Sequence, residues 1–191
     1  MNTRRRHWLR LGCSLLLLAS ALTYGGQAAY LSAKAQLAQL LLKLAWERSQ
    51  ASDAPIRPWP WADTHAAALL DIPRLGVRQV VLDSHSGEAM AFGPGLVTVG
   101  DSHVLGGHRD SHLQFLEHIE SGDTLHFTTA DGDTTSYVIE QLQIVNTITS
   151  PQYTPAPQSL TLITCYPFNA LGTGGPLRLV VIAYRRNGRT T

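Results

Sequence analysis

Beyond Ala67 the chain breaks into short aliphatic and β-branched runs separated by turn residues, and this punctuation constrains the fold more than any other feature. The runs are 68–72, 79–82, 103–107, 124–129, 136–145, 160–165 and 177–184. Each has strand length and strand composition. Asp131-Gly132-Asp133 predicts a hairpin turn between the fourth and fifth of them. Only 111–119 reads as helical, with Leu113, Phe115 and Leu116 available for burial. The long helical crossovers of a βαβ layout are missing. The expectation is a mainly β domain of seven or eight strands with short helices, curled into a closed or nearly closed barrel.

The first third of the chain has a different character. Arg4, Arg5, Arg6 and Arg10 precede 23 uncharged residues, which include Leu-Leu-Leu-Leu at 15–18 and end at Lys34. As a helix, rising about 1.5 Å per residue, such a segment spans a bilayer core. Its arginines favour a cytoplasmic N-terminus with the rest of the chain outside. A cleaved signal peptide is the competing reading, because Gly26-Gln27-Ala28-Ala29 offers small residues for processing. Leu37, Leu40, Leu41, Leu44 and Ala45 continue the helical pattern, which favours an anchor followed by a stalk. Prolines at 55, 58 and 60 then bias the chain towards extended structure, placing a boundary near 52–62. The organisation expected is a basic tail over 1–10, a membrane helix over 11–33, a stalk and linker over 34–55 and a catalytic domain over 56–191. Past the arginine cluster, 11 basic residues stand against 14 acidic ones, a balance of −3 that offers no basic surface for nucleic acid.

Two cysteines, with Cys13 in the apolar segment, cannot staple an exported domain internally. Cys165 is therefore expected to be a free thiol outside the cytoplasm. It closes the run Thr161-Leu162-Ile163-Thr164-Cys165 and is either a small core residue or a nucleophile. Arg178 is the only Lys or Arg between Arg109 and Arg185, and it interrupts the apolar run 176–182. A guanidinium there calls for an anionic partner, and a developing oxyanion is the natural one. His108 follows Leu105-Gly106-Gly107, where a strand gives way to a loop. Thiol, imidazole and guanidinium together supply nucleophile, proton carrier and oxyanion stabiliser.

In this combination the chain resembles the sortases, membrane-anchored cysteine transpeptidases. The resemblance covers roughly 56–186 and rests on Gly107-His108, Thr161-Leu162-Ile163-Thr164-Cys165 and the arginine of Leu177-Arg178-Leu179, in the family's order. The Pro-Trp stretch at 58–61 and Gly106-Gly107-His108-Arg109-Asp110-Ser111-His112 are similar to the branch found in Gram-negative bacteria. The resemblance implies an eight-stranded barrel with Cys165 and Arg178 on neighbouring strands and His108 facing them across a groove. It implies an exported substrate protein with a C-terminal signal similar to Leu-Pro-Xaa-Thr-Gly, cleaved through a thioacyl enzyme and passed to an amine. The enzyme would act at the inner membrane with its catalytic domain on the periplasmic side, and no cofactor is implied.

Around that core, Thr164 is a candidate helper through its hydroxyl or amide, and Tyr166 and Phe168 are candidates for contact with the substrate's apolar residues or for anchoring the loop to the core. Asp110 either orients His108 as a third catalytic member or caps the helix beginning near Ser111, with the cap favoured and Ser111 as the competing cap residue. Trp59 and Trp61 are expected to pack against the barrel. Three other readings compete: an exported cysteine peptidase that only hydrolyses, a zinc module built from His103, His108 and His112 with Asp101 or Asp110, and a non-enzymatic envelope scaffold. The histidine spacing matches no common zinc signature and leaves Cys165 and Arg178 unexplained, so no metal is assigned.

Overall fold

A computed structural model describes residues 3–52, 54–84, 86–150, 153–170, 172 and 174–186. Residues 1 and 2 of the basic tail, residue 53 of the linker, residues 171 and 173 of the loop after Cys165 and residues 187–191 lie outside these. By internal contacts the chain divides into two units, Met1–Leu40 and Leu41–Thr191.

A single helix, α1, runs over Thr3–Ser52. Over its Arg10–Ser52 part it is long and apolar enough to cross a membrane, with a mean hydropathy of 1.2 in its most apolar window. In the first unit Leu15, Leu16, Leu17, Leu18 and Leu22 are all exposed. Ser20 and Thr23 turn their hydroxyls back on the helix, donating to the carbonyls of Leu16 and Ala19. That local bonding satisfies them without outside partners.

The second unit carries eight strands: β1 (Ala66–Ile72), β2 (Val77–Leu82), β3 (Gly95–Val99), β4 (Ser102–Gly106), β5 (Thr124–Thr129), β6 (Thr134–Asn146), β7 (Ser159–Cys165) and β8 (Leu177–Arg185). They close into a barrel in the order β1-β2-β3-β4-β7-β8-β6-β5. Most neighbours are antiparallel, while β2–β3 and β4–β7 are parallel. Alternate residues of each strand face inward. Ala68, Leu70, Val81, Leu105, Leu125, Phe127, Leu160, Leu162 and Val181 fill the interior. On β1 and β2 the outward residues Leu69, Val80 and Leu82 are buried too, because Leu42 and Trp46 at the end of α1 pack on them with Ala89. Gln50 extends this docking by donating to the Ala130 carbonyl at 2.8 Å.

The expected runs match seven of these strands to within a few residues, and the eighth, β3, was not among them. It is five residues long, lies between Gly93-Pro94 and the Gly100 turn, and leaves Val97 and Val99 exposed, so neither length nor alternation marks it. The Asp131-Gly132-Asp133 turn is present, with Gly132 at φ 85° and the Gly132 amide donating to Thr129. The helix expected over 111–119 shrinks to one 3-10 helix, Gln114–His118, preceded by turns. Leu113 is its cap residue and makes no side-chain cap bond, so Asp110 and Ser111 do not cap it. Of the two tryptophans, Trp59 packs edge-on against Phe92 with ring centroids 5.0 Å apart, whereas Trp61 is 82% exposed rather than packed.

Candidate active site

The β7–β8 register pairs Cys165 directly with Arg178. Leu160, Leu162, Leu179 and Val181 of these strands face the core, so alternation puts Thr161, Ile163, Cys165, Arg178 and Val180 together on the outer face. Directly opposed residues on one face have Cβ atoms about 5 Å apart. Thiol and guanidinium are therefore side by side at the rim, and both are partly exposed.

His108 reaches the same rim from the other flank of β7. The parallel β4–β7 ladder pairs Val104 with Thr161 and Gly106 with Ile163. It continues one step further, with the Gly107 amide donating to the Ile163 carbonyl at 3.3 Å. The ladder thus runs to Gly107, the residue before His108, alongside the end of β7 that carries Cys165. Thr164 secures that approach: it is 2% exposed, and its hydroxyl donates to the Gly107 carbonyl at 2.8 Å. Gly107 is closely packed, since an added Cβ would lie 3.0 Å from Leu113 Cγ and 3.3 Å from Pro94 Cβ and would press those side chains back. Gly106 is different: a Cβ there would meet nothing within 4 Å. It lies next to Ile163 and leaves open space above the paired ends of β4 and β7.

Arg178 donates through Nη1 to the carbonyls of Gly175 at 2.6 Å and Leu177 at 2.9 Å. Among the described residues its Nε and Nη2 make no hydrogen bond, so much of the fork remains for a ligand. The loop between β6 and β7 returns over the outer face, where the Tyr153 hydroxyl meets that of Thr161 at 3.1 Å. Tyr166 and Phe168, in the loop after Cys165, pack edge-on with centroids 6.5 Å apart and lean on the core. With Leu116, Ile119, Leu142 and Leu179 they line an open cavity of about 370 Å³.

The remaining candidates separate. Asp110 accepts from Arg109 Nε at 2.9 Å. His103 packs its ring against Phe127, with centroids 5.0 Å apart, and pairs with the Thr98 hydroxyl. His112 pairs with the Ala91 carbonyl at 3.2 Å. Burial pushes the His103 and His112 imidazoles below the ordinary histidine value; at His112 the Ala91 carbonyl opposes this and nearby His108 reinforces it. Among the described residues no three His, Cys, Asp or Glu side chains gather as a metal site, so the zinc module of His103, His108 and His112 finds no geometric support. Sequence reasoning passed over Arg109, which is 6% exposed and bonded to the loop after Cys165. A lone basic residue beside the histidine gave no sign of that burial.

With this geometry in place, comparison with known proteins is decisive. The sortase domain model matches residues 70–186, well over half of the chain. This chain belongs to the sortase family. A search of curated proteins gave no match. Among solved structures it is similar to sortase A from Corynebacterium diphtheriae, with 21% identity, a TM-score of 0.57, and coverage of 69% of this chain and 65% of that one. It is also similar to the pilus-related sortase C of Group B Streptococcus, with 18% identity, a TM-score of 0.53 and coverage of 64% and 68%. Sortase A of Listeria monocytogenes gives 16%, 0.53, 64% and 88%. These structures share the sortase barrel with this chain.

Proposed function

We propose that this sortase cleaves a C-terminal Leu-Pro-Xaa-Thr-Gly-like signal of an exported protein and transfers the new acyl end to an amine. The observation that carries the reading is the β7–β8 register, which pairs Cys165 with Arg178, and the β4–β7 ladder, which leads to His108 on the other flank of β7, supports it. The Cys165 sulfur attacks the Thr–Gly carbonyl carbon as its proton passes to His108, and the oxyanion that forms is held by the unsatisfied part of the Arg178 fork. Collapse breaks the C–N bond, and His108 gives its proton to the departing amine. The thioester then takes an incoming amine, which loses its proton to His108 as the thiolate leaves. A thioester reacts well with amines, so a groove that favours a bound amine over water yields an amide product.

The sequence likeness to the Gram-negative branch supports a catalytic domain on the periplasmic side of the inner membrane. The apolar helix and its preceding arginines support a single-pass anchor with the barrel outside. Tyr166 and Phe168 are suited to meet apolar residues of the signal, since both line an open cavity next to the nucleophile strand.

The deciding experiment incubates the full chain, solubilised in detergent, with Leu-Pro-Xaa-Thr-Gly peptides and an amine. Mass spectrometry should find an acyl adduct on Cys165 and an amide product that depends on the amine. A thiol that never becomes acylated overturns the reading, and an acid product whatever the amine makes the protein a hydrolase.

A further inference from the structure

We propose that Arg109 is a positioning residue that clamps the β7–β8 loop and thereby fixes Cys165 and Arg178 relative to His108. The inference rests on the catalytic reading above for its kinetic consequences, while the clamp itself stands on geometry.

The guanidinium of Arg109 is almost fully buried. Its Nη1 donates to the Pro167 carbonyl at 2.7 Å, and its Nη2 donates to Ala170 at 3.1 Å and to Gly172 at 2.7 Å. Nε is taken by Asp110, so both ends of the fork are engaged. All three carbonyls belong to the segment that joins the nucleophile strand to the arginine strand, more than fifty residues further along the chain. A buried charge persists only where such bonds replace its lost hydration. Because Arg109 follows His108 directly, it couples the backbone of the imidazole to the loop leading from Cys165 to Arg178.

The two site arginines divide their donors in opposite ways. Arg109 commits all three nitrogens, two to the loop after Cys165 and one to Asp110, whereas Arg178 bonds the Gly175 and Leu177 carbonyls through a single nitrogen. Lysine cannot reproduce the clamp, because an ammonium is a point charge and lacks the planar fork that reaches three separated carbonyls. Losing the clamp frees the loop and loosens the spacing of the reactive groups, and displacements of an ångström at a reacting centre are costly.

The test compares the full chain with its Arg109→Lys and Arg109→Gln variants by amide hydrogen exchange, peptide-cleavage kinetics and alkylation of Cys165 with iodoacetamide. Exchange over 166–176 should rise about 10-fold in both variants while the β1, β5 and β6 amides stay within about two-fold of the parent. The value of kcat/KM should fall about 10²-fold, mostly in kcat, with alkylation of the thiol changed by less than about three-fold. Wild-type loop exchange or full activity in Arg109→Lys overturns the proposal, as does a rise in exchange spread evenly over the barrel. A variant that does not fold also overturns it, because Arg109 would then be holding the fold rather than the loop. If the parent chain cleaves no peptide, the transpeptidase reading fails, and the exchange comparison alone decides the clamp.

Discussion

The two faces of the β7–β8 pair are built from alternating residues of the same strands, yet they obey different rules. Inward, Leu160, Leu162, Leu179 and Val181 join one continuous apolar cluster and are tolerant only of residues that fill the same space. Outward, at the rim, Cys165 and Arg178 keep partial exposure, and Gly106 on the adjoining strand leaves room beside them. A period of two thus separates stability from chemistry, and substitutions one residue apart should have unlike consequences.

The sharpest break in that comparison is Cys165→Ala. Peptide turnover should drop by more than about 10³-fold with the thermal midpoint preserved, measured by cleavage assay and by melting. A large loss of stability instead would place the thiol with the inner face. Next, Arg178→Gln should lower kcat/KM by about 10³-fold, equivalent to roughly 4 kcal/mol of transition-state stabilisation, again with little change in melting. Leu162→Ala tests the other face: denaturant unfolding should show a loss of about 3 kcal/mol, with iodoacetamide labelling of Cys165 unchanged while the protein is folded. Thr164→Val lies at the seam. It leaves the Gly107 carbonyl without its hydroxyl donor and should cost about 1–2 kcal/mol in stability by the same unfolding measurement, with a modest loss of activity.

The smallest effect lies away from both faces. Arg74 binds Asp123 through Nε and Nη2, the latter at 2.7 Å, and this bonding holds the Asp123 carboxyl below its ordinary range. A depressed folded pKa gives stability that is present above the unfolded value of about 3.9 and disappears as pH falls through the folded one. Arg74 also donates to the His118 carbonyl at 2.6 Å, so melting curves of the parent and Arg74→Gln should differ most at neutral pH and draw closer in strong acid. A difference as large at pH 2 as at pH 7 would mean that Arg74 acts through the His118 carbonyl rather than this carboxylate.

Much of the barrel was legible because a strand that buries one face, or both, leaves a composition that turns interrupt at regular distances. The 124–129 run shows it best, since its bounds coincide with those of β5. β3 was illegible for the converse reason: it buries little and is held by pairing rather than by apolar content. The region 111–119 read as a helix because Leu113, Phe115 and Leu116 mimic helical spacing, but turns tied to the His108 and Ser111 carbonyls and one short 3-10 helix place Leu113 and Leu116 in the core. In the site, Cys165, His108 and Arg178 stood out as residue types with chemistry to offer. What sets them near one another is strand pairing, β7 with β8 for Cys165 and Arg178 and β7 with β4 on the approach to His108, which no local pattern encodes. Arg109 lay beyond reach for the same reason, since its partners are determined by where a distant loop returns.

The crowding of β7 between β4 and β8, and of β8 between β7 and β6, limits how any extended peptide can be gripped beside the thiol. Main-chain hydrogen bonds of both strands are already committed to neighbours, so a visitor cannot join them as an additional strand. Discrimination among visitors falls to side chains and to the connecting loops, whose sequences can drift without unpairing a single ladder.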